Sequence, residues 1–322
     1  MENKIHSWVE KYRPENLDDI SAQYDVVKSL KSAIVTKNIP HLIFFGPSGC
    51  GKTSTILALS RELFGNENMS NRIIELNASD ERGINIIREK IKTHAKQSVK
   101  QVDNIPPWKI IILDEADTMT PDSQFALRRI MEQYSKVTRF CIICNYHSKI
   151  IDPIISRCSL FRFKPIESTA TMEKLKLICL KENFNCSEKL LNKIIKICRG
   201  DLRKGINLLQ KCYNSYGEKI NEELLDEMSG IISLIDFERL IKYIIKKDTQ
   251  KVDEIVNDLC LKGYSMVNQI ILFHDFILNS DIPSEKKSNI LYKLAEIDQN
   301  LIKGCDEFVQ FMKIVYYIMV TL

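Results

Sequence analysis

Eight residues, Gly46-Pro47-Ser48-Gly49-Cys50-Gly51-Lys52-Thr53, constrain this chain more than any other segment. The apolar run His41–Phe45 precedes them and a helically periodic stretch, Ser54 to Leu63, follows. A strand, a glycine-rich turn and a helix in that order are the setting in which the GxxxxGK[ST] pattern has a physical meaning. Glycines let successive backbone N–H groups converge on a phosphate, and the helix start adds partial positive charge. Lys52 then reaches terminal phosphates, and the Thr53 hydroxyl can hold a magnesium ion. The alternative is an ordinary glycine turn between strand and helix. The surrounding pattern favours the phosphate site, so a nucleoside triphosphate is the expected ligand.

At 322 residues the chain is long enough for two or three domains with real cores. No run of about eighteen apolar residues appears, so no membrane span is expected. The start, Met1-Glu2-Asn3-Lys4, lacks the apolar centre of a secretory signal. A net charge of +4 is too mild to establish a nucleic-acid partner, so the local arrangement of basic residues must carry that argument. The single CxxC, Cys141-Ile142-Ile143-Cys144, sits in a strand-like run that points its two thiols to opposite sheet faces. With no second pair to complete a zinc site, reduced and mostly buried thiols in an intracellular compartment are expected.

Up to Pro165 the chain alternates strands with helices. The strand candidates are 42–45, 72–77, 110–114, 140–145 and 160–163, rich in Ile, Leu and Phe without polar alternation. Such runs suit parallel strands buried on both faces, so the first half reads as a covered parallel α/β sheet. Beyond Pro165 only helical periodicity remains. It predicts two all-α units with a break near Ser229-Gly230, hence parts 1–165, 166–229 and 230–322.

Lys109-Ile110-Ile111-Ile112-Leu113-Asp114-Glu115 is a buried strand ending in two acids. Ligands of parallel sheets sit beyond the carboxyl ends of the strands, which brings both carboxylates to the phosphates. Asp114 fits a magnesium ligand and Glu115 the base that activates water. Asn145 ends another strand on the same edge and can offer an amide to the terminal phosphate, or simply begin a loop. Arg157, in Ser156-Arg157-Cys158, suits an arginine finger or a surface salt bridge. Asp201 is placed to cap a helix N-terminus. Arg203, in that helix's first turn, opposes the helix dipole and so hints at an external anion.

Together, GPSGCGKT, LDEAD, CNY, SRC, GDLRKGINLLQ, WVEKYRP (Trp8–Pro14) and LNASDERG (Leu76–Gly83) resemble the small subunits of replication factor C. That family is the AAA+ sliding-clamp loader of eukaryotes and archaea, also carried by some large DNA viruses. The resemblance runs from Trp8 to Gln210, and its EKYRP, ASDERG and SRC segments are specific to the family. It implies ATP and Mg2+ as cofactors. Val9 and Arg13 would line the adenine pocket beside the phosphate loop from Gly46 through Ser54. Asn145 would be sensor 1 and Arg203 sensor 2, and Arg157 would complete a neighbouring subunit's site in trans. The implied partners are the other subunits of a heteropentamer, the sliding clamp and primer–template DNA. The implied location is the nucleus, or the cytoplasm for a viral or archaeal chain. Where the family often has Ala, this chain has Gly205, which costs a helix about 1 kcal/mol.

From Ile84 to Lys100 an apolar stripe, Ile84, Ile87, Ile91 and Ala95, runs beside Arg88, Lys92, Lys96 and Lys100. On a helix these four make a basic ridge about 18 Å long. Such a ridge tracks a phosphate backbone without reading bases, or is a solvated charged face. The resemblance favours DNA, with Arg82 and Arg88 as the leading contacts and Lys92 and Lys96 beside them. By the same analogy, 93–104 would lie near the clamp. Of Arg128 and Arg129, one would report DNA or reach the next subunit. The rival readings are another AAA+ DNA-processing ATPase, such as a branch-migration helicase or an origin-recognition ATPase, and a scaffold that holds ATP without hydrolysing it.

Overall fold

The computed structural model describes residues 7–36, 38–78, 84–96, 105–217 and 220–322, without the side chains of 84–88, 95, 222, 223 and 227. These residues fall into two compact units, Met1–Gln210 and Lys211–Leu322.

Five short apolar strands build the sheet of the first unit: β1 His41–Phe45, β2 Ile73–Asn77, β3 Lys109–Asp114, β4 Thr138–Cys144 and β5 Cys158–Arg162. All pairings are parallel, in the order β2-β3-β4-β1-β5. Residues 110–113 and 140–144 are all buried, because helices cover both faces of this sheet. The predicted strands agree to within two residues at each end. Cys141 packs into the core cluster around Phe44 and Leu59, whereas Cys144 packs into the one around Phe140 and Leu127. The two thiols therefore point to opposite faces, and no cysteine among the described residues is in a disulfide.

Helices α1 Trp8–Lys11, α2 Tyr24–Val35, α3 Lys52–Phe64, α4 Met69–Arg72, α5 Ile84–Lys96, α6 Pro121–Tyr134 and α7 Asp152–Ile155 accompany the sheet. Thr120 caps α6, with Pro121 at its first position. The buried Gln124 on α6 donates to Met119 O and Lys149 O and accepts from Ile151 N, which ties α6 to the loop before α7.

No strand follows Arg162 among the described residues. Helices α8 Ser168–Lys181, α9 Glu188–Cys198 and α10 Leu202–Tyr216 come next. Then come α11 Glu222–Ser229, α12 Leu234–Lys246, α13 Thr249–Leu261, α14 Met266–Asn279, α15 Ser284–Ile302 and α16 Glu307–Thr321. The core of the second unit gathers Phe237, Leu240, Phe273, Ile297, Phe311 and Ile314, where Phe273 meets Phe237 and Phe311 edge to face. No described helix is long and apolar enough to cross a membrane.

Candidate active site

The carboxyl ends of β1, β3 and β4 lie side by side, because β4 pairs with both β1 and β3. That adjacency joins three segments that lie far apart in sequence.

After β1 the chain turns through Gly46 at φ 148° and Gly49 at φ 64°, then starts α3 from Gly51 at φ 96°. A Cβ at Gly46 would sit 2.3 Å from Phe163 O, so the loop lies directly against the chain leaving β5. Lys52 is 8 % exposed, and its ammonium donates to Gly46 O and Pro47 O at 2.7 Å each. A third bond runs 3.0 Å to Asn145 Oδ1, at the end of β4. The buried Cys50 thiol donates to Pro47 O, and burial pushes its pKa up although Lys52 opposes the shift. It is a packing group of the loop.

Thr53 Oγ1, in the first turn of α3, lies 2.7 Å from Asp114 Oδ2 at the end of β3. The other oxygen, Asp114 Oδ1, accepts the Glu115 N–H at 2.8 Å. Glu115 itself adopts φ 53°, ψ 36°, a left-handed conformation that a residue with a Cβ occupies at a cost of about 1–2 kcal/mol. Strain of this kind collects where a side chain must be aimed, and Glu115 is exposed at the cleft. A hydroxyl beside a carboxylate is the hard oxygen pair that suits Mg2+, which usually takes one or two protein oxygens plus phosphate and water. Among the described residues no group of three or more His, Cys, Asp or Glu side chains is placed to hold a metal ion.

The cleft is open to solvent and has about 1130 Å³ of space, its mouth included. Val9, Arg13, the loop from Ser48 to Ser54, Asp114, Glu115, Asn145 and Arg203 all line it. Gly46 and Pro47 stand behind it as acceptors for Lys52. The pocket also uses residues that the motifs did not single out. Tyr12 continues the wall begun by Val9, and Lys174 enters from α8. Burial lowers the Lys174 pKa, with Asp19 acting the other way. Tyr12 carried a signal, because it sits inside the WVEKYRP segment. Lys174 carried none, being one of several lysines on a periodic helix.

The start of α10 closes the cleft. Asp201 caps it, accepting Lys204 N at 3.0 Å through Oδ1, and takes the Ser48 hydroxyl at 2.9 Å through Oδ2. Leu202 N donates to Gly49 O at 3.3 Å. Arg203, exposed and at the cleft, follows one residue later.

Arg157 stands elsewhere. The next residue, Cys158, pairs with His41 at the amino end of β1, so Arg157 and the loop after Phe45 flank opposite edges of the sheet. At about 3.3 Å per residue the strand alone separates them by roughly 13 Å. Arg157 Nη2 lies 2.6 Å from Glu132 Oε1 and its Nη1 donates to Pro153 O at 2.6 Å. Glu132 also pairs with Arg128 at 3.0 Å. Of the expected DNA contacts, Arg82 lies outside the described residues and so does the side chain of Arg88. Lys92 and Lys96 are exposed on α5, one turn apart, while Ile91, just before them, is buried.

Comparison with known proteins bears on this geometry. Residues 42–166 match the ATPase family associated with various cellular activities (AAA), 173–213 an AAA+ ATPase lid domain of the RCF1/5-like type, and 234–316 the replication factor C C-terminal domain. Replication factor C subunit 2 of Saccharomyces cerevisiae is 43% identical over 95% of this chain and 91% of its own length. Replication factor C subunit 4 of Homo sapiens is 42% identical, covering 95% and 86%. The replication factor C small subunit of Archaeoglobus fulgidus is also 42% identical, covering 96% of each. Among solved structures, RuvB of Thermotoga maritima aligns with a TM-score of 0.55 at 16% identity, over 73% of this chain and 80% of that one. A likeness that distant concerns the fold alone.

Proposed function

The chain belongs to the replication factor C small-subunit family of AAA+ ATPases, and on that premise we propose that it opens a sliding clamp and loads it onto primer–template DNA. It is an ATPase, and it has the domain content of a clamp-loader subunit. The observation that carries the reading is the convergence of Lys52, Thr53, Asp114, Glu115 and Asn145 on one cleft, with α10 fastened over it.

In this reading the loop amides from Ser48 to Thr53 and the Lys52 ammonium bind the phosphates of ATP. Thr53 and Asp114 would hold Mg2+, which would supply positive charge to the phosphate groups. Glu115 accepts a proton from the attacking water, held in place by the Asp114 bond to its own N–H. Asn145 keeps Lys52 with its carbonyl oxygen and has amide N–H donors for the terminal phosphate. Arg203 adds a guanidinium from α10, and Val9, Tyr12 and Arg13 flank the base. Arg157, at the far edge of the sheet, acts as a finger on a neighbouring subunit's nucleotide. The exposed Lys92 and Lys96, with Arg82 and Arg88, meet the DNA backbone.

The division into a nucleotide-binding part (1–165), a lid (166–229) and a collar (230–322) that assembles a heteropentamer belongs to the same reading. So does a nuclear location, or a cytoplasmic one in a virus or archaeon. ATP binding favours the assembly that holds the clamp open, and DNA-triggered hydrolysis releases the clamp.

The test is ATP hydrolysis by the co-expressed assembly, with and without clamp and primer–template DNA, for wild type and Arg157→Ala. Both ligands together should stimulate turnover. The variant should lose most of that turnover while this subunit binds ATP as before; fingers supplied in trans are worth roughly 10³–10⁵ in rate at the site they complete. Turnover indifferent to the ligands and to Arg157 would exclude clamp loading.

A further inference from the structure

One wall of the cleft is held from the helices that follow the sheet. Tyr12 is 8 % exposed, lines the cleft and donates its phenol O–H to Glu182 Oε1 at 2.6 Å. The same oxygen accepts the Lys11 ammonium, also at 2.6 Å. Glu182 follows the last residue of α8, and its side chain is 14% exposed against 49% for Lys11. Two ammonium groups, of Lys11 at 5.4 Å and Lys181 at 5.7 Å, flank the Tyr12 ring. At the other end of the segment, Trp8 N donates to Gln210 Oε1 at 2.9 Å, and Gln210 lies on α10.

An exposed ion pair contributes little. This one differs, because a largely covered carboxylate binds a buried phenol and an ammonium on one oxygen. Burial works against the Glu182 charge, but the bonds from Lys11 and Tyr12 outweigh it and hold the pKa below the usual value. The carboxylate is therefore fixed in place and charged, and α1 is clasped by α8 and by α10.

We propose that Glu182 is a positioning residue for nucleotide recognition, holding Tyr12, and through it the wall formed by Val9 and Arg13, against the base-binding side of the cleft. Glu182 does not itself line the cleft. The N-terminal wall and the α8–α10 helices move together, so the fit of the base depends on where those helices sit. This is a second mechanical link from those helices to the nucleotide, besides Asp201 and Arg203 at the phosphate end. It rests on the cleft being the ATP site.

The link separates the two ends of the ligand, and tripolyphosphate reads only the phosphate end. Calorimetric titration of the full chain with ATP and with inorganic tripolyphosphate, both with magnesium, tests it. Glu182→Ala should weaken ATP about tenfold and leave tripolyphosphate unchanged within about twofold. Glu182→Gln, which still accepts from Tyr12, should recover most of the loss. Tyr12→Phe added to Glu182→Ala should weaken ATP by no more than about a further twofold, because the two groups share one contact. If Glu182→Ala does not fold, Lys11→Met removes the other donor from the same carboxylate at an exposed position and should weaken ATP selectively in the same way. ATP affinity unchanged in a folded variant, or equal losses for ATP and tripolyphosphate, would overturn the proposal. A wild-type chain that binds neither ligand would instead refute the ATP-site reading itself.

Discussion

The Ser48 hydroxyl donates to Asp201 Oδ2 across 2.9 Å, joining the glycine-rich loop after β1 to the cap of a helix 153 residues further along the chain. The approach is tight: a Cβ on Gly49 would fall 1.7 Å from Asp201 Oδ1. Asp201 thus serves a local and a distant contact at once. Asp201→Ala should destabilise the chain by about 1–2 kcal/mol, of which the lost cap alone accounts for about 1. Asp201→Asn, which can still cap, should recover at least half. Urea denaturation of the three proteins measures both.

Gly205 occupies the interior of α10 in an ordinary helical conformation. An added Cβ would meet Cys198 Sγ at 3.4 Å and Ile194 Cγ2 at 3.9 Å, which is packing distance. Gly205→Ala should therefore raise stability by about 1 kcal/mol, seen as a higher thermal midpoint. A lower midpoint would mean that the α9–α10 contact has no room for a methyl group.

Glu115 is strained where it stands, at φ 53°. Glu115→Gly should relieve that strain and leave stability equal or up to about 1 kcal/mol higher. Turnover should nevertheless fall by roughly 10²–10⁴, the usual worth of a general base. Parallel thermal melts and ATPase assays separate the effects; a variant that loses stability and activity together would show that the left-handed turn serves the fold.

His41 Nδ1 accepts the Phe140 N–H at 3.1 Å, and burial, helped by the charge of Arg139, lowers its pKa to about 4. The unfolded chain takes up this proton near pH 6.5, the folded chain only near 4. Stability from this group is therefore complete above about pH 6.5 and declines as pH falls towards 4, by at most about 1.4 kcal/mol per pH unit. His94 behaves alike, its pKa brought to about 4 by burial and by Lys109. Denaturation at pH 7, 6 and 5 should show His41→Gln, which keeps an acceptor for Phe140, losing stability less steeply than wild type. Identical slopes would show that the folded chain protonates His41 as readily as the unfolded chain does.

What could be read from the sequence is what neighbours along the chain decide. The strand–glycine–helix order around Lys52, the acids that end β3, the opposed thiols of Cys141 and Cys144 and the cap at Asp201 each depend on a few adjacent residues. Periodicity, turn chemistry and strand ends express local sterics and burial, and the resemblance to a known family added roles to those same positions. The tertiary structure decided the pairings between distant segments. Nothing local marked Glu182 as the partner of Tyr12, Ser48 as the partner of Asp201, or Lys174 as part of the cleft. Nor did spacing show that Arg157 leaves its own site for the opposite edge of the sheet, held there by Glu132. The strand order decides that, because it fixes which strand ends share an edge. A single polar contact adds only about 1 kcal/mol, so its partner is chosen by the packing of the whole sheet and its helices, which no short stretch of residues contains.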